Sequence, residues 1–450
     1  MADNTQRKLI NSRTIVALLA FVGLNAALSG YMPKTENKFT ADVVKTSANE
    51  QRQEGNWIWW ITRNYIMDGT DADVVFMGSS QMGSALYASE AAFLNEAIDT
   101  CTHRKSDLAS SLISEKIGHK PTTFNLSMGG AMCSDQYMMA KSLFNSEHKP
   151  KLVVLGVNPR DFIDNTMPSA SATDAFRYLS PYVELDKLGG SAFPDLFAFM
   201  DWKINETLPT KLIGEKIASL LPESSKKLLP NANDVVSEDG TVTTIGPFAA
   251  GQTETGNAKT TDTKSGDSET KSPAGEIASA DGNTDALKAI YGNQGVVKPG
   301  EWRVVACSWG AFKDNTEEYR ARYKNSNPQI FNGQKKFFEE YLAYLKNQDV
   351  KVLVVGMPSL WPNRALLPDK FWGDFRNYLS STTTEYGAKF VDLTADERFD
   401  SKDYLDTVHL NSSGGHRLVD LITDAISEDK KLAAAVSQSS IAKTDQNKWQ

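Results

Sequence analysis

At 450 residues the chain exceeds what one ordinary core needs, so a large domain with insertions, or two domains, is expected. Its 40% apolar and 23% charged residues suit a mainly globular protein rather than a disordered one. A formal charge of -8 without a basic stripe argues against nucleic acid as a partner, and Cys101, Cys133 and Cys307 form neither a CxxC pair nor a metal-like cluster. The three cysteines therefore read as packing residues or one optional disulfide, and neither a metal nor a cofactor is expected.

The first element is apolar. Arg7, Lys8 and Arg13 mark residues 1–13 as a basic cytoplasmic end, and residues 14–32 follow as a run close to the roughly 20 needed to span a bilayer. Basic residues on the amino side put the bulk of the chain outside the cytoplasm. Two readings stay open: an uncleaved transmembrane signal anchor, which the generous apolar length favours, or a signal peptide cut after Ala27-Leu28-Ser29. No cysteine follows the run, so lipid attachment at a lipoprotein-type site is not expected. Residues 33–70 form a connector containing the aromatic group NWIWWITRNY, Asn56 to Tyr65, which either rests at the membrane interface or packs under the domain.

From residue 71 onward strands and helices alternate. DVVFMGS, TTFNLSM, KLVVLGVN, VKVLVVGM and AKFVDLT are short continuous apolar runs, the pattern of strands buried on both faces. Phe338, Tyr341, Leu342 and Leu345, and later Leu418, Leu421, Ile422 and Ala425, repeat at helical spacing. The expected fold is α/β: a doubly wound three-layer sandwich on a mostly parallel five-stranded sheet, with the N-terminal transmembrane helix attached. Its core is expected in two parts, 71–163 and 326–429. Between them, residues 164–325 form an insertion whose stretch 231–300 is too polar to bury and reads as a disordered loop. Residues 430–450 read as a polar tail.

In a parallel sheet ligands bind beyond the carboxyl ends of the strands, and the polar residues gather there. VVFMGSSQMG delivers Ser79 and Ser80. FNLSMGGAMCSD delivers Gly129 and Gly130, and LGVNPRDF presents Asn158. YLDTVHLNSSGGH carries Asp406 and His409 just before a helix. This set supplies what acyl transfer requires. A serine hydroxyl needs a base to accept its proton. His409 fits that role, with Asp406 holding the imidazole in the right tautomer. The main-chain amides of Ser80 and Gly130, with the Asn158 side chain, suit an oxyanion hole. His416 falls inside the following helix and reads as a rim or structural residue. His103, His119 and His148 read as surface residues; Arg160 and Asp161 either bind a charged substrate or, as is favoured, pair with each other.

These residues resemble the motifs of the SGNH (GDSL-like) hydrolase superfamily. Gly78-Ser79-Ser80 stands where that family has Gly-Asp-Ser, making Ser80 the nucleophile. Asn125 through Gly130 is similar to its N-x-x-x-x-G block, Gly156-Val157-Asn158 to its Gly-x-Asn-Asp block, and Asp406 with His409 to its Asp-x-x-His block. Pro159 replaces the last residue of the third block, and Ser79 replaces the usual aspartate. With the anchor and the stretch GMPSLWPNRALLPDKFW, these departures look more like the envelope branch that includes the D-alanyl-lipoteichoic-acid transfer protein and alginate O-acetyltransferase-like proteins.

That resemblance implies a membrane-anchored, extracytoplasmic serine esterase or O-acyltransferase acting on an acylated envelope polysaccharide or polymer, in some relatives beside a membrane-bound O-acyltransferase. An alternative is a catalytically inactive member of the same fold that binds a polymer or organises an export or modification complex. A third is a secreted esterase, if the N-terminal segment is cleaved.

Overall fold

A computed structural model describes residues 19–21, 23–25, 39–40, 56–145, 148–207, 234–236, 242–244, 298–307, 312–325 and 327–437. The chain divides into two units, one comprising residues 35–200 with 278–450 and the other residues 1–34 with 201–277.

The larger unit is built on a five-stranded parallel sheet: β1 (Val74–Met77), β2 (Thr123–Asn125), β3 (Leu152–Val157), β4 (Lys351–Gly356) and β5 (Lys389–Asp392). The lateral order is β2-β1-β3-β4-β5, and each neighbouring pair is parallel. Strands from both sides of the insertion therefore complete one sheet. All residues of β1 and β3 are buried, whereas edge strand β5 is only half-buried, in keeping with helices covering both faces of the centre.

Side-chain alternation divides the core. Val74, Phe76, Leu152, Val154, Leu353 and Val355 face one layer formed by α2 (Ser80–Leu94), α3 (Asp107–Ile117), α7 (Ser412–Glu428) and α8 (Lys430–Ser437). The opposite face carries α4 (Cys133–Leu143), α5 (Pro328–Asn347) and α6 (Asp369–Tyr386). There the Tyr341 hydroxyl donates to Met77 Sδ at 3.2 Å, and Phe162 meets the rings of Phe338 and Phe375 edge-on. Each fully buried large side chain contributes about 1.5–3 kcal/mol, so the sheet position is fixed by tens of such contacts rather than by any one.

The expected helical positions Phe338, Tyr341, Leu342 and Leu345 are buried on α5, and Leu418, Leu421, Ile422 and Ala425 on α7. Residues 430–437 correct the reading of a polar tail from 430. They form α8, and Leu432 and Val436 enter the core, because an apolar pair one turn apart covers the sheet's open end at β3 and β4. Residues 438–450 lie outside the described residues.

The aromatic connector packs under the domain. Asn56 caps α1 (Trp57–Asn64), its side chain accepting from Trp59 N–H at 2.9 Å, and Ile58, Trp59, Ile61 and Tyr65 are buried. Of the insertion, Arg303–Val304 returns to pair antiparallel with Ile98–Asp99. Most of the stretch read as a disordered loop, 231–300, lies outside the described residues; within it Asp234–Val236 pairs antiparallel with Val242–Thr244 in the smaller unit. Among the described residues no helix is long and apolar enough to cross a membrane. The segment 14–32 is described only at 19–21 and 23–25, which are helical.

Candidate active site

Between β1 and β3 the order of strands reverses direction, and the chains leaving these two strands part to opposite faces of the sheet, opening a crevice at their carboxyl ends. β1 ends there at Gly78, whose φ is +143° and whose added Cβ would lie 2.9 Å from the Gly156 carbonyl oxygen on β3. Only glycine fits. The tight exit turns the chain at once into α2, with buried Ser79 as its cap and Ser80 as its first residue. The Ser80 N–H belongs to the first turn, where no intrahelical acceptor exists and the helix dipole is positive.

Ser80 Oγ lies 2.8 Å from His409 Nε2, and His409 Nδ1 lies 2.7 Å from Asp406 Oδ2. His409 and Asp406 are 0% and 1% exposed, so water does not compete for this pair. The other Asp406 oxygen accepts the N–H groups of Val408 and His409 at 2.8 and 2.7 Å. Two residues of spacing thus wrap the loop around one carboxylate and aim the second oxygen at the imidazole. An ionised Asp406 can only accept, so Nδ1 carries the proton and Nε2 is left to accept from Ser80. The loop is itself tied down: Leu405 N–H donates to the His409 carbonyl at 2.7 Å, and Ser84 Oγ on α2 donates to the Leu410 carbonyl at 2.8 Å.

The loop after β2 runs beside this centre. Leu126 and Met128 N–H groups donate to the carbonyls of Phe76 and Gly78 at 2.8 and 3.1 Å, and Asn125 Oδ1 accepts from Ser127 N–H at 2.9 Å. This is why the run TTFNLSM is strand only through Asn125. The loop turns at Gly130, whose φ of +74° is left-handed, opposite the Arg160 guanidinium.

Asn158 arrives from β3. Its Nδ2 lies 3.4 Å from Ser79 Oγ and 3.1 Å from Asp161 Oδ2, while its Oδ1 accepts from Arg160 N–H at 2.9 Å. Pro159 starts a helical turn, Arg160–Ile163, that brings Asp161 back under Asn158. One Asn158 amide proton is held by Asp161; the other faces Ser79 at the outer limit of hydrogen bonding, where a stronger acceptor would take it.

The expected pairing of Arg160 with Asp161 is present, as the longer of two ion pairs. Arg160 approaches Asp164 at 2.8 Å but Asp161 only at 3.8 Å, because Asp161 turns to Asn158. Burial pushes the Asp161 carboxyl up to about 7, against the lowering influence of Arg160, the Asn158 N–H and the Ser79 hydroxyl.

The other histidines stand apart from Ser80. His416 is exposed on α7, and His119 and His148 are half-buried. His103 is also half-buried, not a free surface residue, its Nε2 3.5 Å from Glu90. Cys101, Cys133 and Cys307 are free thiols.

A narrow pocket of about 20 Å³ opens beside Ser80, along the face of α2 that also carries Gly83 and Tyr87. Trp57, Arg104 and the 127–129 turn close it. Trp57 belongs to the aromatic group of the connector, whereas neither Tyr87 nor Arg104 stands out in the sequence. Tyr87 was accessible in principle, lying two turns from Ser80 on the same helical face; Arg104, in the loop before α3, carries no such signal. The arrangement offers a hydroxyl with its base and orienting carboxylate, adjacent N–H donors, and a small pocket on one side. Neither a family model nor a curated protein matches this chain.

Proposed function

We propose that this protein is a serine acyl esterase or O-acyltransferase. The observation that carries the reading is the continuous Ser80–His409–Asp406 relay, with contacts of 2.8 and 2.7 Å. Ser80 Oγ attacks the carbonyl carbon of an ester as His409 Nε2 takes its proton. Asp406 stabilises the imidazolium, and the Ser80 and Gly130 amides with Asn158 Nδ2 receive the charge on the carbonyl oxygen. The ester C–O bond breaks, and His409 returns the proton to the departing alkoxide. Water or a sugar hydroxyl then attacks the acyl-serine, with His409 again as base, regenerating Ser80.

The resemblance of Gly78-Ser79-Ser80, Asn125 to Gly130, Gly156 to Asn158 and Asp406 to His409 to the SGNH superfamily supports the same reading. It extends it to an acylated envelope polysaccharide or polymer as substrate, with a membrane-bound O-acyltransferase as partner. The basic residues before 14–32, together with exposed Leu19, Phe21 and Leu24 on helical residues, support a single-pass anchor with the catalytic unit outside the cytoplasm.

Intact-mass measurement of the purified chain with an activated acyl donor tests the reaction. Wild type should gain one acyl group and Ser80→Ala none; a wild-type chain that stays unmodified by acyl donors and by serine-directed covalent probes would leave a binding protein of this fold. A reporter active only outside the cytoplasm, fused after Gln450, should be active, and activity of a cytoplasm-only reporter there would overturn the topology.

A further inference from the structure

The pocket beside Ser80 is lined by hydrogen-bond donors that lack acceptors. Arg104 is 3% exposed, yet among the described residues no carboxylate pairs with it. Its Nη1 makes two long contacts to the carbonyls of Asn125 and Ser127, at 3.5 and 3.4 Å, while Nε and Nη2 are buried with no partner. The guanidinium sits 5.9 Å from the Trp57 ring and 5.7 Å from the Tyr87 ring. Trp57 Nε1 is also buried without a hydrogen bond, and the buried Tyr87 oxygen lies within the hydrogen-bonding influence of the Arg104 guanidinium, its own O–H left without an acceptor. Burial pushes the Tyr87 phenol up, more than the nearby Arg104 lowers it, so it remains a neutral O–H donor.

A buried cation without a counter-ion is among the costlier features a fold can carry, and it persists where a ligand completes it. The unused edge of Arg104, Nε with Nη2, is the fork that matches the two oxygens of a carboxylate. Trp57 and Tyr87 add an N–H and an O–H, and none of these four atoms calls for a cation. The pocket is too small for a sugar ring, but it has room for a group little larger than a water molecule. Ser80 lines the same pocket, so a group held there is within reach of an ester that Ser80 attacks.

We propose that Arg104, Trp57 and Tyr87 form a carboxylate-binding subsite of the Ser80 centre, which selects esters bearing a carboxylate next to the scissile bond. The proposal rests on Ser80 being the nucleophile. The carboxylate belongs either to the acyl half, as in a dicarboxylic half-ester, or to the alcohol half, as in an acylated uronic acid.

Two measurements separate this proposal from the reaction itself. In the full chain carrying Ser80→Ala, succinate or glucuronate should raise the melting temperature and bind in calorimetry, whereas acetamide and glucose should not. Adding Arg104→Gln should abolish that binding. In the wild type, kcat/KM for an aryl hemisuccinate against the neutral aryl butyrate, and for acetylated glucuronate against acetylated glucose, identifies which half carries the charge. One of the two ratios should exceed 10 and fall towards 1 in Arg104→Gln, mostly through KM. Arg104→Lys should restore part of the preference, which a purely structural role in holding the 125–127 loop would not require. Should Arg104→Gln fail to fold, Tyr87→Phe and Trp57→Phe remove single donors, and each should lower the same ratio about threefold. Carboxylate binding or preference that persists undiminished in any folded Arg104→Gln chain, or equal treatment of charged and neutral esters by the wild type, overturns the subsite. Carboxylate binding through Arg104 in a chain whose wild type turns over no ester retains the subsite and overturns the serine reaction.

Discussion

On one side of Ser80 the polar atoms are spoken for, and on the other they are not. Both Asp406 oxygens and both His409 nitrogens have partners at 2.7–2.8 Å. Arg104, Trp57 and Tyr87, across the first turns of α2, keep buried donors without acceptors. Arg104 and Tyr87 are buried as His409 and Asp406 are, so the contrast is not one of exposure. A catalytic relay has to be in register before substrate arrives, and its hydrogen bonds are satisfied internally. A binding pocket gains from donors that only a ligand can satisfy, since internal partners would compete with it. The Asn158 region is intermediate: Asp161 holds one amide proton firmly, and Ser79 holds the other weakly.

The relay side is the one whose disruption costs most. Ser80→Ala and His409→Ala should each lower turnover by roughly 10⁴-fold or more, with the double variant hardly worse, because nucleophile and base act as a unit. Steady-state kinetics on an activated ester checks this, and independent, multiplicative losses would break the unit. Asp406→Asn should follow at roughly 10³- to 10⁴-fold, by disturbing the imidazole tautomer. That variant should also melt lower, since the carboxylate anchors the Val408 and His409 amides. Asn158→Ala, in the intermediate region, should lose about 100- to 1000-fold in kcat if the amide serves the oxyanion. A loss confined to KM would instead make it a substrate-binding residue.

Asp161 sharpens the intermediate case through pH. Its folded carboxyl is raised to about 7 from the ordinary 3.8, so between those values the folded protein holds a proton that the unfolded chain has released. Raising the pH through that window therefore favours unfolding, and the contribution is fully unfavourable above about 7. In Asp161→Asn the group no longer titrates. The melting temperature of the variant relative to wild type should rise between about pH 4 and 7 and then level off. A difference that stays flat with pH would show that Asp161 is ionised throughout. The smallest effect belongs to His416→Ala, which should keep activity within about twofold, as exposed residues away from a site usually do.

The strand runs and helix periods were legible because each follows a local rule. Continuous Val-rich runs mark strands covered on both faces, and three-four spacing marks a helix with one buried side. The four rim segments were legible as well, since a parallel sheet sends the carboxyl ends of all its strands to one edge whatever the lateral order. Two features do not follow from such local rules. Lys430–Ser437 looks polar, with only Leu432 and Val436 to bury, and becomes structural because the sheet end at β3 and β4 needs covering. The Arg104 pocket joins residues from α1, α2 and the loop before α3, a juxtaposition without periodicity or spacing.

The sequence by itself determined the strands, the helices and the four chemical segments at one rim, because hydrophobic periodicity and backbone stereochemistry act over a few residues. Only the tertiary structure decided the order β2-β1-β3-β4-β5, the 2.8 Å approach of His409 to Ser80 across more than three hundred residues, and the unpaired guanidinium beside them. Those depend on which surfaces bury each other when the whole sheet closes, and long-range burial leaves no mark at any single position of the chain.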